Sequence, residues 1–165
     1  MRSADNSGFS LVELLIVIAI IGIGLAVATL NFNQWIKKTN IEKQTRELFG
    51  DLNEARLKSI YTKKRHSIVL NPSNYVFKEY SSENENKANG KVLFSKNTAY
   101  QMTTKTGTAL DGNIVEFDIR GFLVVGNNTI MVNPVSSGAA FDCVIISDSR
   151  TNLGQMGSDD VCNQK

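Results

Sequence analysis

Residues 14–30 carry no charge at all, and Glu13 is the only ionisable side chain in the apolar run that begins at Phe9. The stretch from Asn6 to Leu30, NSGFSLVELLIVIAIIGIGLAVATL, has few places to go in a folded protein. At about 1.5 Å per residue, roughly 20 helical residues cross a hydrocarbon core of about 30 Å, and residues 9–30 meet that length if Glu13 is tolerated. A charge at the centre of a membrane helix costs about 2.5–3.5 kcal/mol. Glu13 therefore needs a reason to be there.

Two ordinary readings account for the length. A cleaved secretory signal has a basic start, an apolar stretch of about 7–15 residues and a small-x-small site behind it. Ala26-Val27-Ala28 offers such a site, but the apolar run is longer and Arg2 is the only cation before it. A plain membrane anchor fits the length and leaves Glu13 unexplained. The flanks give conflicting orientations. Lys37 and Lys38 follow the run, which by the bias of Lys and Arg toward cytoplasmic flanks places the rest of the chain inside, whereas a cysteine pair suits an oxidising compartment.

With 165 residues there is room for one domain beside this segment. The net charge of +2 is too small to call for an anionic partner. Cys143 and Cys162 are the only cysteines, and the only histidine, His66, lies far from them in sequence, a poor basis for a zinc site. A disulfide is favoured over two unrelated thiols, because it would staple a loose, Gly-rich tail. Closing a loop of that size stabilises a fold by about 3 kcal/mol in the chain-entropy model.

Beyond Leu30 the helical period continues. Ile41, Thr45, Leu48, Leu52, Ala55 and Ser59 recur at steps of four and three, with Phe49, Arg56 and Ile60 beside them. Glu42, Lys43, Arg46, Glu47, Asp51 and Lys58 mostly fill the other face. One helix from about Phe9 to about Lys63 is expected, closed by Lys63-Lys64-Arg65-His66, where cations suit the negative end of the helix dipole. From Ser67 onward short β runs alternate with turn residues: SIVLN, NYVFKEY, KVLFS, AYQMTT, NIVEFDI, FLVVG, TIMVN and FDCVIISD. Arg120-Gly121-Phe122 and Gly126-Asn127-Asn128 read as hairpin turns.

Gly8-Phe9-Ser10-Leu11-Val12-Glu13, set between a short hydrophilic leader and a span-length apolar run, resembles the type IV prepilin signal. The resemblance implies that a membrane-embedded prepilin peptidase cuts between Gly8 and Phe9 on the cytoplasmic face and N-methylates Phe9, leaving the helix in the mature protein. It also implies a role for Glu13, whose carboxylate would pair with the N-terminal ammonium of a neighbouring subunit as helices bundle into a filament. An unpaired acid in lipid is costly, so an opposite charge on another helix favours assembly. Major pilins commonly carry a proline in mid-helix. Here Gly22 and Gly24 stand in that region instead, each costing about 1 kcal/mol relative to alanine and allowing close helix approach.

LFGDLNEARLKSIYTKKRHSIVLN, IVEFDIRGFLVVGNNTIMVN and CVIISDSR are similar to the late helix, a middle hairpin and the closing strand of the GspH/FimT-type minor pseudopilins. The closing Gly-Arg of that family is Ser149-Arg150 here, and no second arginine follows, which argues against the DNA capture in which some pilus-associated relatives are implicated. The partners implied are other pilin or pseudopilin subunits, the prepilin peptidase and an inner-membrane assembly platform.

No nucleophile–base pair, HExxH helix, Walker-type glycine loop or CxxC is present. Asp142, Asp148, Asp159 and Asp160 lie near the cysteines, but their spacing matches no EF-hand, and they read as solvated loop acids. His66 has no partner in sight. No enzyme, cofactor or metal is expected. The expected chain is α+β and type IV pilin-like: a leader at 1–8, a transmembrane or filament-core helix at 9–30, its amphipathic continuation at 31–66, and an antiparallel β head at 67–165 with a C-terminal cysteine loop. Processing and assembly would place it in the bacterial inner membrane, head in the periplasm, and then in a type II secretion pseudopilus or a type IV pilus. A minor pilin that itself binds DNA or a surface, and a bitopic protein that never enters a filament, are the alternatives.

Overall fold

Buried positions that recur at steps of four and three put a helix flat against another layer, and that is what the helix of this chain does in its second half. The computed structural model describes residues 9–126, 129–133, 138–158 and 161–165, with the side chains of 27–31 outside the described set. Helix α1 runs Leu11–Thr62. The chain forms two compact units, Met1–Lys37 and Lys38–Lys165. In the second unit Ile41, Thr45, Leu48, Leu52, Ala55 and Ser59 are all fully buried. The two hydroxyls in this apolar stripe are satisfied within the helix: Thr45 Oγ1 donates to Ile41 O at 2.8 Å and Ser59 Oγ to Ala55 O at 2.9 Å.

Among the described residues ten strands follow: β1 His66–Leu70, β2 Asn74–Glu79, β3 Lys91–Asn97, β4 Met102–Thr103, β5 Asn113–Phe117, β6 Leu123–Val125, β7 Thr129–Val132, β8 Cys143–Ile146, β9 Thr151–Met156 and β10 Cys162–Gln164. They build two antiparallel sheets, ordered β3-β2-β1-β5-β6 and β10-β9-β8-β7-β4. The fold is therefore α+β, a long N-terminal helix with antiparallel sheets, as expected. One core cluster draws Leu48 and Leu52 from α1, Ile68 and Phe77 from the first sheet, and Ile130 and Val144 from the second.

Several local expectations change. Arg120-Gly121-Phe122 does turn β5 into β6, with Gly121 N donating to Asp118 O at 2.8 Å and Gly121 at φ 82°. Gly126-Asn127-Asn128 is not a hairpin, because β6 and β7 belong to different sheets; Asn127 and Asn128 themselves lie outside the described residues. The tail is not loose, since TNLGQM pairs with β8 on one side and β10 on the other. Tyr80 is fully buried. It lies just past the end of β2, beneath the Arg65 guanidinium at 4.7 Å, with its hydroxyl 2.9 Å from Ser67 Oγ. Gly90 has to be glycine for this ring to fit, as a Cβ there would fall 2.5 Å from it.

Of the basic run after α1, Lys63 stays exposed at the helix end, whereas Arg65 and His66 are buried. Lys63 takes a left-handed turn at φ 55° that ends the helix. Lys64 pairs with Glu79 at 2.9 Å, Arg65 is buried against Glu116, and His66 opens β1. Asp51, expected on the solvent face, is buried instead, accepting from the Tyr75 hydroxyl at 2.5 Å and from Lys96 Nζ at 2.7 Å. It flanks the stripe next to Leu52, within reach of β2 and β3. Burial and this carboxylate push the Tyr75 phenol far above its ordinary range.

His66 does have partners. Its ring is fully buried, with Nδ1 3.0 Å from Lys64 O and 3.3 Å from Ser59 Oγ, and Nε2 3.5 Å from Glu79 Oε2. Burial outweighs these contacts and holds its pKa below the ordinary 6.5. The folded chain thus prefers the neutral ring, and the unfolded chain binds the proton more readily. The stabilisation is full above pH 6.5 and is lost as pH falls through the lowered folded value. Urea midpoints measured from neutral pH down to about pH 5 should therefore fall, and His66→Gln should flatten that slope.

Candidate functional site

The first unit is helical from Leu11, and its sequence is apolar almost throughout. Ser10 stands just before α1, its carbonyl accepting from Leu14 N at 3.2 Å. Glu13 falls in the first turn, where an acid is favoured by the positive helix end. Ser10 and Glu13 have the S-x-x-E spacing of a capping box, in which each side chain can satisfy an unpaired N–H of the first turn.

Every described side chain from Phe9 to Ala26 is exposed. Phe9 is 84% exposed, and Leu11, Ile18, Ile20, Ile23 and Leu25 are exposed on several faces of the helix. Apart from the helix's own backbone, no described atom lies within 4 Å of where a Cβ would stand on Gly22 or Gly24. None of the ion pairs among the described residues involves Glu13. A contiguous apolar surface of this extent marks a binding or membrane face. An acid at its N-terminal end can select a partner that brings a cation there.

Gly8, the residue expected before the cleaved bond, lies outside the described residues; Phe9 lies two residues before α1 and Glu13 in its first turn. The apolar span expected at 9–30 runs into positions 27–30, whose side chains are also outside the described set. Among the described residues, no helix is long and apolar enough to cross a membrane.

The expected residues are divided between the two units. Cys143 and Cys162 belong to the second unit, where they form a disulfide with Cα atoms 6.2 Å apart. The bond reaches from β8 to β10 over Gly154 of β9, where a Cβ would sit 2.5 Å from Cys162 Sγ. Asp142, read as a solvated acid, is buried and accepts from Met156 N at 2.7 Å, because β9 delivers its N–H groups there. Asp148 is exposed, and Asp159 and Asp160 lie outside the described residues. Among the described residues no group of three or more His, Cys, Asp or Glu is placed to hold a metal ion.

Periodicity set Arg56 beside the apolar stripe but gave no sign of its partners, nor of the burial of Arg65. Arg56 of α1 donates to Gly121 O at 2.9 Å, Asp148 O at 3.0 Å and Ser147 O at 3.1 Å, with its guanidinium 4.7 Å over the Phe117 ring. It joins the helix to the β5–β6 turn of one sheet and the β8–β9 turn of the other. Desolvation lowers its pKa from the ordinary arginine value.

Residues 3–29 match the family model described as the prokaryotic N-terminal methylation motif, a stretch that includes Gly8, Phe9 and Glu13. No curated protein and no solved structure matches the chain.

Proposed function

We propose that this chain is a minor pilin or pseudopilin subunit of the GspH/FimT type. The observation that carries the reading is the methylation motif at residues 3–29, running into a helix whose described side chains from Phe9 to Ala26 are all exposed. Prepilin peptidase cuts between Gly8 and Phe9 and N-methylates Phe9. The apolar helix holds the subunit in the inner membrane as a single pass, head in the periplasm, until it is drawn into a type II secretion pseudopilus or a type IV pilus. There the helix surface is covered by other subunits, and Glu13 meets a neighbour's terminal ammonium. The head chooses partners at or near the filament tip, and the work is assembly rather than catalysis.

Intact mass under non-reducing conditions, from cells with and without a functional prepilin peptidase, tests this directly. A chain beginning at methylated Phe9 only when the peptidase is present supports the reading. A chain still carrying residues 1–8 in both cells sinks it. Glu13→Ala should leave membrane recovery intact and cut recovery in the sheared filament fraction by about tenfold or more, since the pairing that favours assembly over lipid is gone. Equal recovery in filaments would remove the assembly role of Glu13.

A further inference from the structure

Where the apolar run ends, the helix changes character within one turn. Phe32 and Trp35 stack with ring centroids 6.0 Å apart and planes inclined by 22°. They are 58% and 60% exposed, and Ile36 beside them is also exposed. At positions i, i+3 and i+4 these three share a face. Asn33, Gln34 and Lys37, all exposed, take the remaining directions. An all-round apolar helix thus gives way to a turn with one aromatic face and one polar, cationic face.

Trp and Tyr collect where hydrocarbon meets headgroups, because an amphipathic ring is favoured by both media there. Lysine stems extend along the apolar zone while the ammonium reaches phosphate. The distance along the helix agrees. From Glu13 to Trp35, at about 1.5 Å per residue, is roughly 33 Å, close to a hydrocarbon core of about 30 Å. An acid at one end and the aromatic pair with Lys37 at the other bracket one bilayer thickness.

We infer that Phe32, Trp35 and Lys37 form an interfacial collar that binds the headgroup zone of an anionic phospholipid bilayer and sets the depth at which the helix sits. This inference rests on the membrane placement proposed above. It also gives Lys37 a place on the far side of the span, against the usual inward bias of basic flanks. There its partner is lipid phosphate, and no cytoplasmic flank is required.

The chain has a single tryptophan, so its fluorescence reports on this position alone. The full chain is reconstituted in vesicles of equal parts phosphatidylethanolamine and phosphatidylglycerol, and vesicle binding is read independently by flotation. Brominated lipids with the bromines near the headgroup end or near the chain terminus are then compared as quenchers. The expected result is flotation with the vesicles, a blue-shifted emission, and roughly twofold stronger quenching by the shallow bromines than by the deep ones. A chain that floats but is quenched by neither, or more by the deep bromines, overturns the collar and leaves the membrane placement standing. The unquenched case is what a protein partner covering the aromatic pair would give. A chain that does not float overturns both.

Discussion

Replacing Glu116 with alanine is expected to lower the unfolding free energy by about 3–5 kcal/mol, because it strands a buried guanidinium. Glu116 is almost wholly buried on β5, and its Oε1 accepts from Arg65 Nη1 at 2.5 Å while Oε2 faces Lys87 Nζ at 3.5 Å. Arg65 in turn donates to Glu85 O at 2.7 Å and Ser82 O at 3.2 Å and covers the Tyr80 ring. The pair therefore ties the segment after β2 to the centre of the first sheet. Glu116→Gln keeps an acceptor in place and should cost less. An Arg65→Met, Glu116→Leu double variant should return close to the parent, since paired removal leaves no buried charge. Urea titration of the full chain in detergent reads all three. If the double variant is no more stable than Glu116→Ala, the loss comes from shape and not from the stranded charge.

Arg56→Ala is the second large effect, expected at about 3–4 kcal/mol. The carbonyls of Gly121, Ser147 and Asp148 lose the guanidinium at once, Asp148 O keeping Leu123 N, and an unsatisfied buried group costs about 1–3 kcal/mol where water cannot reach it. Water entering the vacated space offsets part of that sum. Arg56→Lys keeps the charge but a single ammonium cannot fork to three acceptors, so it should recover less than half of the loss. Hydrogen exchange adds a sharper reading. The amides most exposed by Arg56→Ala should be Gly121 N and Leu123 N, the latter bound to Asp148 O at 3.0 Å, whereas β2 and β3 should keep their protection. Uniform loss of protection across both sheets would mean that Arg56 supports the whole head rather than the joint between its two turns.

These arginines also mark where sequence reading stops. The stripe from Ile41 to Ser59 was legible because a helix imposes its period on its own residues, and burial followed it position by position. Whether a charge is buried depends on groups elsewhere in the chain. Arg65 finds Glu116 51 residues away, and Arg56 finds Gly121 65 residues away. No local pattern encodes such a meeting. Asp51 and His66 were misplaced for the same reason. TNLGQM has no strict alternation, and it becomes a strand because β8 and β10 flank it. At the other end of the chain the leader motif was readable at once, because such a signal is written in consecutive residues. What the motif could not convey is the aromatic turn at Phe32 and Trp35, which follows from helix geometry and bilayer thickness together.

The cystine has a mechanical consequence. An edge strand of three residues, β10, would ordinarily peel from its neighbour one hydrogen bond at a time when the chain end is pulled. Here the link passes above the middle strand and fastens β10 to β8. Tension on the C-terminus is carried into β8 as shear on three strands together, and β9 is held down like a rod under a clasp. Gly154 is the groove in that rod. A head fastened this way can be dragged by its tail without unravelling from it.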